Sequence, residues 1–406
     1  MNDNDFKTIN FLTCGHVDDG KSTLIGRLLY DIAVVPDDHI EAARRKDGTI
    51  DYALFTDGLT DERRQGITID VAHRYFRHKD CRYRIADTPG HLEYMRNMAV
   101  AAVESDIAVI LVDGIHGIRL QTVEYSKIAR FFGVKQFVVA INKMDAVGYS
   151  QEKYEQIKAD YLKIFDDKDG KCEVRFVPVS ALEGDNIVHK SENMPWYDGP
   201  TILENLETAD RYVHANQNLR LPIQHVEKDE DGVRWYMGTL HGKTLEVGET
   251  LIASETGQKV TVKGIYHSGK SVNKADRRSA IAISVNEDVD LSRGVILSRA
   301  INPGFIGEGF YADLLWTDKK YEEKQSYQGM IKIYHKEEQA QVTIDGENGF
   351  LKSGLVYLSR PIAMDPFIEN PRTGLFIITD SYTHQVVAVG TVKKVIPPQH
   401  PEYIVI

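Results

Sequence analysis

The feature that most constrains this chain is the run Gly15-His16-Val17-Asp18-Asp19-Gly20-Lys21-Ser22, which follows an apolar stretch, Ile9–Thr13, and precedes an amphipathic one, Thr23–Tyr30. The spacing is G-x-x-x-x-G-K-S in a strand, loop, helix context. That context gives the pattern its chemistry, because loop N–H groups and a helix N-terminus converge on phosphate oxygens. Lys21 is expected at the β- and γ-phosphates and Ser22 on Mg²⁺. Gly15, His16, Val17, Asp18, Asp19, Gly20 and Thr23 complete the loop. Carboxylates repel phosphate, so the side chains of Asp18 and Asp19 are expected to turn outward.

The pattern recurs as Gly264-Ile265-Tyr266-His267-Ser268-Gly269-Lys270-Ser271, and context rejects the second copy. Val272-Asn273-Lys274-Ala275-Asp276-Arg277-Arg278 follows it, with no apolar helical period, so it reads as a turn between two strands.

Around the first loop, short apolar runs alternate with longer amphipathic ones. Ile9–Thr13, Tyr83–Ala86, Ile107–Val112, Phe137–Ile141 and Val174–Val179 read as strands; Thr23–Tyr30, Leu92–Glu104, Gln121–Phe132 and Gln151–Phe165 read as helices. The alternation predicts a doubly wound, mostly parallel sheet covered on both faces, an α/β fold. The character changes near Asn216-Gln217-Asn218. Beyond it, short strand-like runs such as Thr250–Ala253, Lys259–Gly264, Ala280–Val285 and Val295–Leu297 predict two small β-barrels, hinged at Asn302-Pro303-Gly304. The expected domains are 1–216, 217–300 and 301–406.

Further boxes fall at strand ends. Asp87-Thr88-Pro89-Gly90 places a carboxylate where it reaches Mg²⁺ and an N–H, that of Gly90, where it senses a γ-phosphate. Asn142-Lys143-Met144-Asp145 ends another strand. A carboxylate there accepts two N–H bonds from guanine, a pair that adenine cannot offer. Ser180-Ala181-Leu182 ends the next strand and can close on the guanine carbonyl. Thr68, in Gly66-Ile67-Thr68-Ile69, stands where a switch threonine on Mg²⁺ belongs. Singly, Asn142 could cap a loop, Ser180 could cap a helix and Thr68 could be a strand residue. Five boxes in this order point instead to GTP with Mg²⁺.

Composition narrows the partners. The 60 acidic residues outnumber the 49 basic ones, for a net charge of −11, which argues against charge-driven binding to nucleic acid or anionic lipid. Cys14, Cys81 and Cys172 form no Cys-x-x-Cys pair, and Cys14 reads as a small buried strand-end residue. Neither a signal-peptide progression nor a membrane-length apolar run is visible, so a cytoplasmic location is expected.

His91 follows Gly90 directly. With Gly15-His16-Val17-Asp18 and Gly66-Ile67-Thr68-Ile69, it resembles the translation elongation factor family, including elongation factor Tu, in which the matching histidine positions the attacking water. The resemblance implies a catalytic role for His91, with Lys21 and Thr68, and a GTPase domain followed by two β-barrels. Elongation factor Tu carries histidine where this chain has Asp19. A narrower branch fits better. Asp57-Gly58-Leu59 and Glu62–Ala72, Lys21–Leu29, Ala86–His91, Ser180–Asn186 and Met194-Pro195-Trp196-Tyr197 resemble the large GTPase subunit of bacterial sulfate adenylyltransferase. The last run carries no nucleotide chemistry, so its match is the more diagnostic. The resemblance covers about residues 8–300 well and the remainder more thinly. It implies that a separate, smaller subunit makes adenylylsulfate from ATP and sulfate while this chain couples GTP hydrolysis to that step. Two departures concern partner contacts: a short last barrel between Ile344 and Gly354, and Val123-Glu124-Tyr125 where a basic run is usual. No fused adenylylsulfate kinase is expected after Ile406. Delivery of an aminoacyl-tRNA, or stand-alone regulation, are the competing roles on the same fold.

Overall fold

A computed structural model describes residues 7–56, 72–88, 95–165, 172–209, 218–317, 321, 323–345 and 351–399. The chain forms two compact units, Met1–Tyr212 and Val213–Ile406.

The first unit is built on a six-stranded sheet. Its strands are β1 (Lys7–Cys14), β2 (Ala72–His78), β3 (Cys81–Asp87), β4 (Ile107–Asp113), β5 (Gln136–Asn142) and β6 (Glu173–Pro178), ordered β2-β3-β1-β4-β5-β6. All neighbours are parallel except the edge strand β2, which runs antiparallel to β3. Every residue of β4, Ile-Ala-Val-Ile-Leu-Val-Asp, is buried, as a parallel strand covered on both faces requires. Among the described residues the helices are α1 (Lys21–Asp31), α2 (Asp37–Ala42), α3 (Met95–Glu104), α4 (Leu120–Phe131), α5 (Gln151–Ile164) and α6 (Ile202–Glu207). Ser150 caps α5 by accepting from the Lys153 N–H, and Thr201 with Glu204 forms a reciprocal capping box on α6. Gly26 lets α1 pack closely, since a Cβ there would lie 1.9 Å from the Tyr52 carbonyl oxygen.

Strand β1 has β3 on one side and β4 on the other, so strand order reverses at its C-terminal end. In open α/β sheets that is where ligands bind.

The second unit is antiparallel. Eight strands form one sheet, whose main path runs Arg220–Pro222, Ile296–Ser298, Thr250–Ala253, Lys259–His267, Ala280–Val285, Arg234–Thr239 and His225–Lys228; Lys270–Val272 pairs with Lys259–His267 beside it. Six further strands, Phe305–Trp316, Leu351–Met364, Lys336–Asp345, Ser326–Ile333, Leu375–Thr379 and Val386–Ile396, close into a barrel around Phe310, Trp316, Ile331 and Phe376. Arg220, on the eight-stranded sheet, makes a buried bidentate pair with Asp365 at 2.9 and 2.7 Å. Its guanidinium also donates to the carbonyls of Asn302 and Pro303, so the connecting segment is held at the join.

The second G-x-x-x-x-G-K-S match is a hairpin. Ile265, Tyr266 and His267 pair with Val272, Ser271 and Lys270 across a two-residue turn, and both turn residues, Ser268 (φ 50°) and Gly269 (φ 75°), are left-handed.

Candidate nucleotide-binding site

The loop after β1 curls through a 3₁₀ turn, Val17–Asp19, into α1. Gly20, at φ 90°, joins the two. A Cβ there would lie 2.5 Å from the Asn142 amide nitrogen, so both conformation and space require glycine. At Gly15 a Cβ would sit 2.9 Å from the Leu111 carbonyl oxygen. The Lys21 ammonium is buried within the loop and donates to the carbonyls of Gly15 (2.8 Å) and His16 (2.9 Å). Burial lowers its pKa, and the neighbouring Asp87 and Asp19 oppose that shift. Ser22 and Thr23 lie half-buried on the first turn of α1.

The two loop aspartates differ. Asp18 is exposed, as its charge leads one to expect, but Asp19 is only 1% exposed and turns inward. Asp19 Oδ2 accepts the His16 backbone N–H at 2.8 Å, and Asp19 thereby braces its own loop. Burial raises its pKa; the His16 hydrogen bond, Lys21 and Arg119 oppose the rise. The expectation that both side chains point outward fails at Asp19 because an internal N–H and nearby cations compensate its charge.

Asp87 ends β3, buried, with Thr13 Oγ1 donating to it at 3.0 Å. The Thr88 hydroxyl donates to the Thr13 carbonyl, pinning the exit of β3 to β1. Thr68, Gly90 and His91, with the segment Asp57–Asp70, lie outside the described residues.

On the other side of the loop, Asn142 ends β5 and is 2% exposed. Its amide donates to the Asp19 carbonyl at 2.7 Å, and its Oδ1 accepts the Ala181 N–H at 2.9 Å. One side chain thus joins the phosphate loop to the Ser180-Ala181-Leu182 box. Ser180 Oγ donates to Asp145 Oδ1 at 2.6 Å, which orients the carboxylate expected on guanine. Leu182 is exposed, and its carbonyl accepts from Arg27. The branch-diagnostic run packs here too: the Trp196 indole N–H donates to the Tyr149 carbonyl, on the turn just past Asp145.

Two further residues, which sequence alone did not single out, bound the loop between β4 and α4: Asp113 ends β4 and Arg119 immediately precedes α4. Asp113 Oδ2 receives the Lys143 ammonium at 2.8 Å, while Lys143 itself adopts the left-handed φ of 63°. Burial would raise the Asp113 pKa. The Lys143 and His116 side chains and the N–H groups of Ile115 and His116 outweigh it and hold the carboxyl at about 2. Arg119 reaches the phosphate loop at His16. An aspartate at the C-terminal end of a buried parallel strand, followed by glycine, was a signal for the first; nothing local in sequence marks Arg119.

These residues fit a guanine nucleotide with Mg²⁺. Gly15 and Gly20 let the loop pack tightly against Leu111 and Asn142, and Lys21 supplies charge inside it. A hydroxyl, Ser22, and a carboxylate, Asp87, suit a cation held largely by phosphates. Among the described residues no helix is long and apolar enough to cross a membrane.

The profile of the elongation factor Tu GTP binding domain matches residues 7–218. The chain is 40% identical to sulfate adenylyltransferase subunit 1 of Cronobacter sakazakii, over 97% of this chain and 87% of that protein. It is 37% identical to the subunit of the same name from Psychromonas ingrahamii, over 97% and 89%. Among solved structures, a bacterial selenocysteine-specific elongation factor aligns with a TM-score of 0.53 at 21% identity; the match covers 95% of this chain and 58% of that one. This last likeness bears on fold alone.

Proposed function

The chain belongs to the elongation factor Tu-like GTPases and, within them, to the family of sulfate adenylyltransferase subunit 1, and from that premise we propose that it is the GTP-hydrolysing subunit of a sulfate-activating enzyme. A separate, smaller subunit would form adenylylsulfate from ATP and sulfate in the cytoplasm, and GTP hydrolysis here would drive that unfavourable step. The observation that carries the reading is the double hydrogen bond of Asn142, which draws the phosphate loop and the base-recognition box together at one sheet edge.

In this reading each residue has one task. Loop N–H groups from Gly15 to Thr23 hold the α- and β-phosphates, and Lys21 neutralises charge that builds between the β- and γ-phosphates. Ser22, Asp87 and Thr68 would hold Mg²⁺, which supplies electrostatic stabilisation of the departing diphosphate. Asp145 accepts both guanine donors, and Ser180, Ala181 and Leu182 close over the base. Gly90 senses the γ-phosphate, and His91 orients the attacking water.

Equilibrium titration of the purified chain tests the nucleotide part of the proposal. GTP should bind with Mg²⁺ at least about a hundredfold more tightly than ATP, because adenine offers the Asp145 carboxylate no matching pair of N–H donors. Equal affinities would remove the base-pocket assignment. Retention of the smaller subunit on the immobilised chain tests the other half, and a chain that never retains it contradicts the coupling role.

A further inference from the structure

The loop between β4 and α4 is anchored to the base-recognition segment at one end and to the phosphate loop at the other. At its start, the Gly114 N–H donates to the Asn142 carbonyl at 2.7 Å and Asp113 holds Lys143. A Cβ on Gly114 would lie 2.8 Å from that carbonyl oxygen, so the approach is tight. Gly117 turns the loop back by donating to the Asp113 carbonyl. At its end, immediately before α4, Arg119 Nη1 lies 2.6 Å from His16 Nδ1 and 4.0 Å from Asp19 Oδ1.

Arginine has no acceptor, so Arg119 must donate and His16 Nδ1 must accept. The Asp18 backbone N–H points at the same nitrogen, 3.4 Å away. Both contacts leave the ring proton on Nε2 and fix the imidazole against the loop. Asp19 gives the second observation: its Oδ1 is buried and has no hydrogen-bond partner among the described residues. Lys21, whose ammonium is committed to two loop carbonyls, and Arg119 are the two strongest cationic influences on that carboxylate.

We propose that Arg119 is a positioning residue of the phosphate site, working through His16 and Asp19 to hold the loop in the shape that presents its N–H groups to phosphate. The inference rests on the GTP reading and adds to it a residue that need not touch the nucleotide. Asp113 and Arg119 together make the loop a brace between the base and phosphate ends of the site. Without the guanidinium, the buried Asp19 charge would lean chiefly on Lys21 and draw it away from phosphate.

The test is a double-mutant cycle read by GTP affinity and single-turnover hydrolysis. Arg119→Ala should weaken GTP binding about tenfold, equivalent to about 1.4 kcal/mol. Asp19→Asn keeps an oxygen for the His16 N–H but removes the charge, and in that background the Arg119→Ala loss should shrink to about twofold. Free guanidinium ion, below denaturing concentrations, should restore part of the Arg119→Ala affinity, and Arg119→Lys should lose less than alanine. A side chain that only packs would give neither response. Arg119 is 23% exposed, so its variants should fold, which a thermal melt verifies; should alanine fail to fold, lysine in both backgrounds carries the same cycle. Additive losses at Arg119 and Asp19, or full wild-type affinity and turnover in Arg119→Ala, would overturn the role of Arg119 alone. A wild-type chain that binds no GTP would overturn the nucleotide reading and this inference with it.

Discussion

The Asn142 amide nitrogen lies 2.7 Å from the carbonyl oxygen of Asp19, across 123 residues of chain, and it is the tie between the base and phosphate halves of the site. Replacing it with alanine would strand the Asp19 carbonyl and the Ala181 N–H in a buried environment, at a cost of about 1–3 kcal/mol for each unsatisfied group. Asn142→Ala should therefore lower the melting temperature of the first unit and weaken GTP binding by at least about tenfold. Calorimetric unfolding and nucleotide titration on the same preparation measure both. A variant that melts normally but binds poorly would make Asn142 a ligand-contact residue and not a structural tie.

Base selection is proposed to rest on Asp145, which Ser180 holds by a 2.6 Å hydrogen bond. In Asp145→Asn, the amide can no longer accept from both guanine donors, and it offers a donor that matches the extra carbonyl of xanthine. Competition between XTP and GTP should swing toward XTP. Undiminished GTP preference would place the base elsewhere.

The Asp113–Lys143 pair should be visible in the pH dependence of stability. The folded carboxyl titrates at about 2, below the ordinary value of about 3.9. Its contribution is therefore complete above pH of about 4 and is lost as pH falls through about 2, because only the unfolded chain takes up the proton in between. The stability gap between wild type and Asp113→Asn should be constant from neutrality to about pH 4 and should narrow below it. Melting curves across that range report the gap, and a gap that widens on acidification would reverse the sign.

Hydrolysis should depend on His91 far more than binding does. His91→Ala should retain GTP affinity, which the phosphate loop and Asn142–Asp145 supply, while single-turnover hydrolysis falls by about 10²–10⁴-fold. Parallel loss of both would make the histidine structural.

Much of the candidate site could be proposed from the sequence because its parts sit at strand ends, where short apolar runs stop and Gly, Asp or Asn begins. The loop Gly15–Ser22, Asp87, Asn142–Asp145 and Ser180 all read out this way, and the absence of an apolar helix after Ser271 was enough to expose the second loop match as a hairpin. Strand β2 was not legible. Ala-His-Arg-Tyr-Phe-Arg-His is charged, and as an edge strand it packs mainly through Phe76 onto Tyr83. The burial of Asp19 was hidden for a different reason: beside the local His16 N–H, it is compensated by Arg119, which arrives from 100 positions away in the chain. Arg119 shares that obscurity: it acts on His16, 103 positions away, and propensity and periodicity carry no such information, whereas Asp113 at its strand end was open to the same reading as Asp87.

The central claim, that GTP hydrolysis on this chain is coupled to sulfate activation on another, is tested most directly by following both products at once. The purified chain is expected to hydrolyse GTP slowly and to make no adenylylsulfate alone, because the base-recognition box proposed at Asn142–Asp145 would select guanine against adenine. With the smaller adenylyltransferase subunit, hydrolysis should rise, and it should rise again when ATP and sulfate are added, with adenylylsulfate appearing in step, since coupled sites must each sense the other. GTP hydrolysis indifferent to the subunit and to sulfate, together with GTP-dependent binding of aminoacyl-tRNA, would contradict the account.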